Sequence, residues 1–153
     1  MEIAVDDLTG PGIAAFLGEH IEDMRSVSPP ESKHALDLDA LRAPDITFWS
    51  VKDAGLIVGC GALKRLDAAH AELKSMRTAS AAKRRGIASM LLGHIITEAI
   101  AMGFARLSLE TGSAPFFEPA RRLYSKFGFQ YCEPFSNYIS DPHSVFMEKI
   151  LRS

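Results

Sequence analysis

The segment from Gly86 to Met102, GIASMLLGHIITEAIAM, restricts the fold more than any other part of the chain. Its apolar residues Ile87, Met90, Leu91, Ile95, Ile96, Ala99 and Ile100 recur at intervals of three, one and four, the stripe of an amphipathic helix. Gly103 supplies the stop signal. On both sides the period changes. HAELKSMRT, His70 to Thr78, alternates, which predicts Ala71, Leu73 and Ser75 on one face of a strand and Glu72, Lys74 and Met76 on the other. Ala105 to Leu109 reads as a second strand. Strand, helix, strand in that order predicts a right-handed crossover and a parallel pair.

The remaining segments extend that unit. Glu2 to Val5 reads as a short strand, and Thr9 as the cap of a helix with apolar positions Ile13, Phe16, Leu17 and Ile21. Pro29 and Pro30 break that helix. Ser32 can cap a short one near Leu36 to Leu41, which Pro44 ends. Ile46 to Val51 and Gly55 to Leu66 are rich in β-branched and aromatic residues, with Lys52-Asp53-Ala54-Gly55 as a hairpin turn. FFEPARRLYSKFGF reads as a helix ended by Gly128, and FQYCEPF and SVFMEKIL as closing strands. The expectation is one α/β domain over residues 1–153, with a sheet of mixed direction and flanking helices.

Composition narrows the function classes. A chain of 153 residues with a net charge of −2 lacks the basic excess that broad nucleic-acid or membrane-surface binding needs. No apolar run reaches the roughly 18 residues of a membrane span. The N-terminus lacks the layout of a signal peptide, so a cytoplasmic protein is expected. Cys60 and Cys132 form no CxxC pair, and the five histidines show no metal-ligand spacing; no metal is expected.

Against that acidic background, Lys83, Arg84 and Arg85 precede Gly86 at the start of the long helix. A helix N-terminus carries partial positive charge and free backbone N–H groups, so three cations there are in electrostatic conflict. A phosphate or pyrophosphate would resolve it. Glycine allows close approach, small Ala88 keeps the second turn open, and arginine adds bidentate contacts. Taken alone, the loop is equally consistent with a solvated basic turn. The chain has no GxxxxGK[ST], and the match of Gly10 to Ala15 to GxGxx[GA] lacks the strand and acid that a dinucleotide fold requires.

The stretch Lys83-Arg84-Arg85-Gly86-Ile87-Ala88, after a strand and opening a helix, resembles the [QR]-x-x-G-x-[GA] motif of the GCN5-related N-acetyltransferase (GNAT) superfamily. Lysine stands at its first position. Ala120-Arg121-Arg122-Leu123-Tyr124-Ser125-Lys126-Phe127-Gly128-Phe129 resembles the family's A-x-x-L-Y-x-x-x-G-F, with Phe117 where asparagine often stands. Both motifs occur in family order, and the resemblance covers about Gly55 to the C-terminus.

The resemblance implies a GNAT-like, mostly antiparallel sheet that splays at a central parallel pair. It implies acetyl-coenzyme A as co-substrate, with pyrophosphate on the N–H groups of Arg84 to Ser89 beside Lys83 and the pantetheine arm along Met76, Arg77 and Thr78. It implies Glu72 as general base, since an amine of pKa about 10.4 must lose a proton before attack; Glu110 is the fallback. Tyr124 is placed at the departing thiolate. Donation from a phenol of pKa ~10 to a thiolate of pKa near 8.5 is uphill by about 2 kcal/mol, so Tyr124 would mainly hydrogen-bond the sulfur. A backbone N–H near Met76 would meet the oxyanion. The acceptor is then the primary amine of a small molecule or protein, attacking directly in a ternary complex, and a homodimer is compatible with the sequence. The rival is a non-catalytic coenzyme A or acyl-CoA sensor or scaffold, which needs the basic turn but neither Glu72 nor Tyr124.

Overall fold

The computed structural model describes residues 1–10, 12–18, 38–79 and 86–151. Its strands are β1 (Glu2–Val5), β2 (Ile46–Asp53), β3 (Leu56–Arg65), β4 (His70–Thr78), β5 (Arg106–Gly112), β6 (Gln130–Cys132) and β7 (Ser144–Ile150). Helical segments are α1 (12–18), α2 (Leu38–Leu41), α3 (Ile87–Ala101) and α4 (Glu118–Lys126), the last preceded by a 3-10 turn over Pro115–Phe117. The strands form one seven-stranded sheet in the order β1-β2-β3-β4-β5-β7-β6. Every neighbouring pair is antiparallel except β4 and β5, which are parallel.

The β2–β3 hairpin closes through Ala54 and Gly55, both at positive φ (52° and 82°). Two such residues make the turn whose twist matches the flanking strands. The crossover helix α3 starts at Gly86, in the left-handed region at φ 78°, and at its end Met102 N–H donates to the Glu98 carbonyl and Gly103 N–H to the Ile100 carbonyl. Thr9 does not cap α1: its hydroxyl donates to Asp7 Oδ1 at 2.6 Å.

Alternation along the strands divides the core in two. Trp49, Val51, Leu63, Ala71, Leu73, Leu107, Leu109 and Met147 bury one face against α3 and α4. Phe48, Cys60 and Ala62, on the other face, bury Ile13, Phe16 and Leu17 of α1 and Leu41 of α2. In α3 the buried residues are Ile87, Leu91, Leu92, Ile95 and Ala99. Sealing one such aliphatic side chain from water contributes roughly 2 kcal/mol. Met90 (39% exposed) and Ile100 (44% exposed), placed in the stripe by their spacing, fall outside the buried sector.

Candidate active site

The site begins with an interruption in β4. Opposite β3, Lys74 pairs with Ala62 and Arg77 with Cys60, so Ser75 and Met76 together face Gly61. Ser75 takes φ 58°, a left-handed value unusual for a residue with a side chain. This is a β-bulge, and it shifts the phase of the strand by one residue. Met76 therefore points to the same side as Leu73 and packs with the α3 core, not beside Glu72 as strict alternation predicts. Arg77 points the other way, its guanidinium carbon 5.9 Å from the Phe16 ring centroid on α1.

β3 accommodates this through small residues. A Cβ on Gly61 would lie 2.7 Å from Met76 Sδ and 2.8 Å from Ile95 Cδ1, and one on Gly59 would lie 3.0 Å from Ile87 Cγ2. The two glycines let α3 settle close to the bulge and bring its first turn beside the end of β4.

β4 and β5 then part. Their pairing runs from His70↔Arg106 to Leu73↔Leu109 and stops, although β4 continues to Thr78 and β5 to Gly112. Among the described residues, no strand continues the β4–β5 ladder on that edge of β4 from the bulge onward. At the head of the gap stands α3. Among the described residues no side chain caps it, no acid sits in its first turn, and nothing lies within 4 Å of a Cβ built on Gly86. The amides of Ile87, Ala88 and Ser89 thus open the helix as donors that it cannot satisfy internally. Lys83, Arg84 and Arg85 lie outside the described residues, as does most of the 79–82 loop.

Two candidate side chains lie on opposite faces of the sheet. Tyr124, on α4, belongs to the α3-side core and packs its ring on Phe129, centroids 5.7 Å apart. Burial pushes its phenol well above the ordinary tyrosine range, so it keeps its proton. Glu72 lies on the α1 face, 3% exposed. Its Oε2 accepts from Lys74 Nζ at 2.9 Å and from the Tyr138 hydroxyl at 2.6 Å. Burial, then the Glu72 charge and hydrogen bond, push the Tyr138 phenol upward. Glu110 accepts from Ser144 Oγ at 2.6 Å. Phe117 packs over Gly112, where a Cβ would overlap its ring.

The model of the acetyltransferase (GNAT) family matches residues 13–129. The chain belongs to that family. By that membership it is an N-acetyltransferase. A Bacillus subtilis protein named as the uncharacterized N-acetyltransferase YsnE is 56% identical over 151 residues, covering 99% of this chain and 100% of that one. The Klebsiella pneumoniae structure of a protein assigned to the acyl-CoA N-acyltransferases superposes with a TM-score of 0.84 at 26% identity, covering 98% and 97% of the two chains. A GNAT family acetyltransferase from Elizabethkingia anophelis, solved with acetyl-CoA bound, has a TM-score of 0.66 at 18% identity over 97% of each chain.

As expected of a GNAT sheet, the strands diverge at the one parallel pair. Of the residues singled out from sequence, Met76, Arg77 and Thr78 form the stretch of β4 beyond its pairing with β5, Gly86 to Ser89 the start of α3, Glu72 pairs with Ser108 of β5 in the paired stretch, and Tyr124 lies in the α3-side core. Sequence reasoning set Lys74 on the face of Glu72, and the two are 2.9 Å apart; it missed Tyr138. Tyr138 carried no signal, since it reaches Glu72 from 66 residues away. Among the described residues no group of three or more His, Cys, Asp or Glu is arranged to hold a metal, and no helix is long and apolar enough to cross a membrane.

Proposed function

We propose that the chain transfers the acetyl group of acetyl-coenzyme A to the primary amine of a small molecule or protein, by direct attack within a ternary complex. The observation that carries this reading is the end of β4–β5 pairing at Leu73↔Leu109, which leads up to a first turn of α3 that no described side chain caps. An extended pantetheine arm adds to Met76, Arg77 and Thr78 through backbone hydrogen bonds, as a strand would. The diphosphate meets the N–H groups of Ile87, Ala88 and Ser89, with Lys83, Arg84 and Arg85 supplying charge. Arg77 contributes main chain there, because its side chain turns to α1.

The two faces of the gap then divide the chemistry. The amine enters from the Glu72 side and gives up its proton to that carboxylate, directly or through water. Nitrogen attacks the thioester carbon, the oxyanion is met by the amide at the bulge near Met76, and the carbon–sulfur bond breaks. The sulfur departs on the opposite side, where protonated Tyr124 donates a hydrogen bond to it.

Thiol release with acetyl-coenzyme A across a panel of small amines and amine-bearing peptides tests the reading. Turnover with at least one amine, reduced 100-fold or more by Glu72→Gln, is the expected result. Saturable cofactor binding with no acetylation of any amine would favour a coenzyme A sensor instead. Undiminished turnover in Glu72→Gln would remove Glu72 as base.

A further inference from the structure

We propose that Tyr138 and Lys74 are positioning residues that pin one oxygen of Glu72 so that the other is presented to the acceptor amine; this rests on the reading of Glu72 as base. Both hydrogen bonds to the carboxylate converge on Oε2, from Lys74 Nζ at 2.9 Å and from the Tyr138 hydroxyl at 2.6 Å. Lys74 Nζ also donates to the Tyr138 oxygen at 2.9 Å, closing a triangle. Among the described residues, Oε1 accepts no hydrogen bond. A carboxylate left to rotate about its last torsion spreads its lone pairs over many directions. One held twice at Oε2 keeps a fixed plane and directs Oε1 to a single place, the pre-alignment that proton transfer rewards.

Tyr138 is itself held. Its ring packs on Phe135 (5.2 Å between centroids) and Phe146 (5.6 Å), and Phe135 packs on Phe146 (5.8 Å). Phe146 belongs to β7, so the segment between β6 and β7 is strapped to the sheet by three mutually packed rings, and the strap delivers the hydroxyl. Because the Tyr138 phenol is pushed upward, it remains a donor and does not compete for the amine proton. The charged and titratable groups around Glu72 come from every side: Lys64 opposite it on β3, His70 and Lys74 along β4, Glu110 on β5, Glu148 on β7 and Tyr138 on the strap. Of these, Lys74 and Tyr138 bond the carboxylate.

A double-mutant cycle on the intact chain tests the assignment. Tyr138→Phe should lower kcat about tenfold and leave KM for acetyl-coenzyme A within twofold. In a Glu72→Gln background the same change should alter kcat by less than twofold, because the group it orients is gone. Lys74→Arg, which keeps charge and donor, should retain at least a third of kcat, whereas Lys74→Met should lose as much as Tyr138→Phe. An equal loss from Tyr138→Phe in both backgrounds would show a purely structural role and overturn the proposal, as would full activity of Tyr138→Phe beside an impaired Glu72→Gln. Full activity of Glu72→Gln would instead remove the base, and the positioning role with it. If Lys74→Met does not fold, the Tyr138 cycle decides alone.

Discussion

The Cys60 thiol donates to the Ser75 carbonyl oxygen across the kink of β4, at 3.1 Å. Cys60 is fully buried, and burial raises its thiol above the usual cysteine range, so it is a neutral donor and not a nucleophile. It helps hold Ser75 in its left-handed conformation.

Substitution at Ser75 should therefore follow backbone preference and not size. Ser75→Gly removes the cost of a side chain at positive φ and should leave the melting temperature unchanged or slightly raised. Ser75→Val, β-branched, should destabilise by about 2 kcal/mol and weaken cofactor binding, because relaxing the kink moves Met76. Thermal denaturation and calorimetry of the two variants check this.

Gly86 separates binding from folding. Among the described residues its Cβ position is open, but φ 78° strains most side chains. Gly86→Asn, which tolerates this region, should bind acetyl-coenzyme A within tenfold of the wild type. Gly86→Asp adds a negative charge at the helix start and should weaken binding 100-fold or more, at a stability cost of only about 1 kcal/mol. Isothermal titration of both variants tests the diphosphate position.

Tyr124 is buried and keeps its proton across the working pH range. Tyr124→Phe should lower kcat tenfold or more, leave KM for both substrates nearly unchanged, and keep the melting temperature within a few degrees. Steady-state kinetics would refute the thiolate role if kcat were unaffected.

His70 makes stability depend on pH. Its Nδ1 is 3.0 Å from the Arg106 guanidinium, which can only donate, so Nε2 carries the proton to Ser108 Oγ at 2.7 Å. Burial, then Arg106, lowers its pKa below the ordinary histidine range. As pH falls below about 6.5, the unfolded chain takes up a proton before the folded one does, and stability present above that pH is lost as the folded histidine is forced to charge. The melting temperature of the wild type should fall more steeply between pH 6.5 and 5 than that of His70→Asn.

How much of this was legible depended on the range of the signal. The α3 stripe and the Gly86 and Gly103 boundaries are local, and the residues that carry them read correctly. Met90 and Ile100 misled because spacing gives a helical face but not how wide a sector the sheet covers. The bulge was hidden because Ser75 is neither glycine nor asparagine, and one unseen extra residue reversed the predicted side of Met76. The insertion of β7 between β5 and β6 depends on pairing across the sheet, which no short window encodes. The delivery of Tyr138 to Glu72 depends on how the segment between β6 and β7 folds back, and its sequence, SNYISDPH, says nothing of a destination.

The parting of β4 and β5 leaves the ladder of rungs between strands unfinished in the middle of the sheet, where most proteins would close it. A cofactor that supplies the missing rungs becomes a temporary eighth member of the architecture. On the proposed binding mode, recognition of the donor and completion of the protein's own framework are one event.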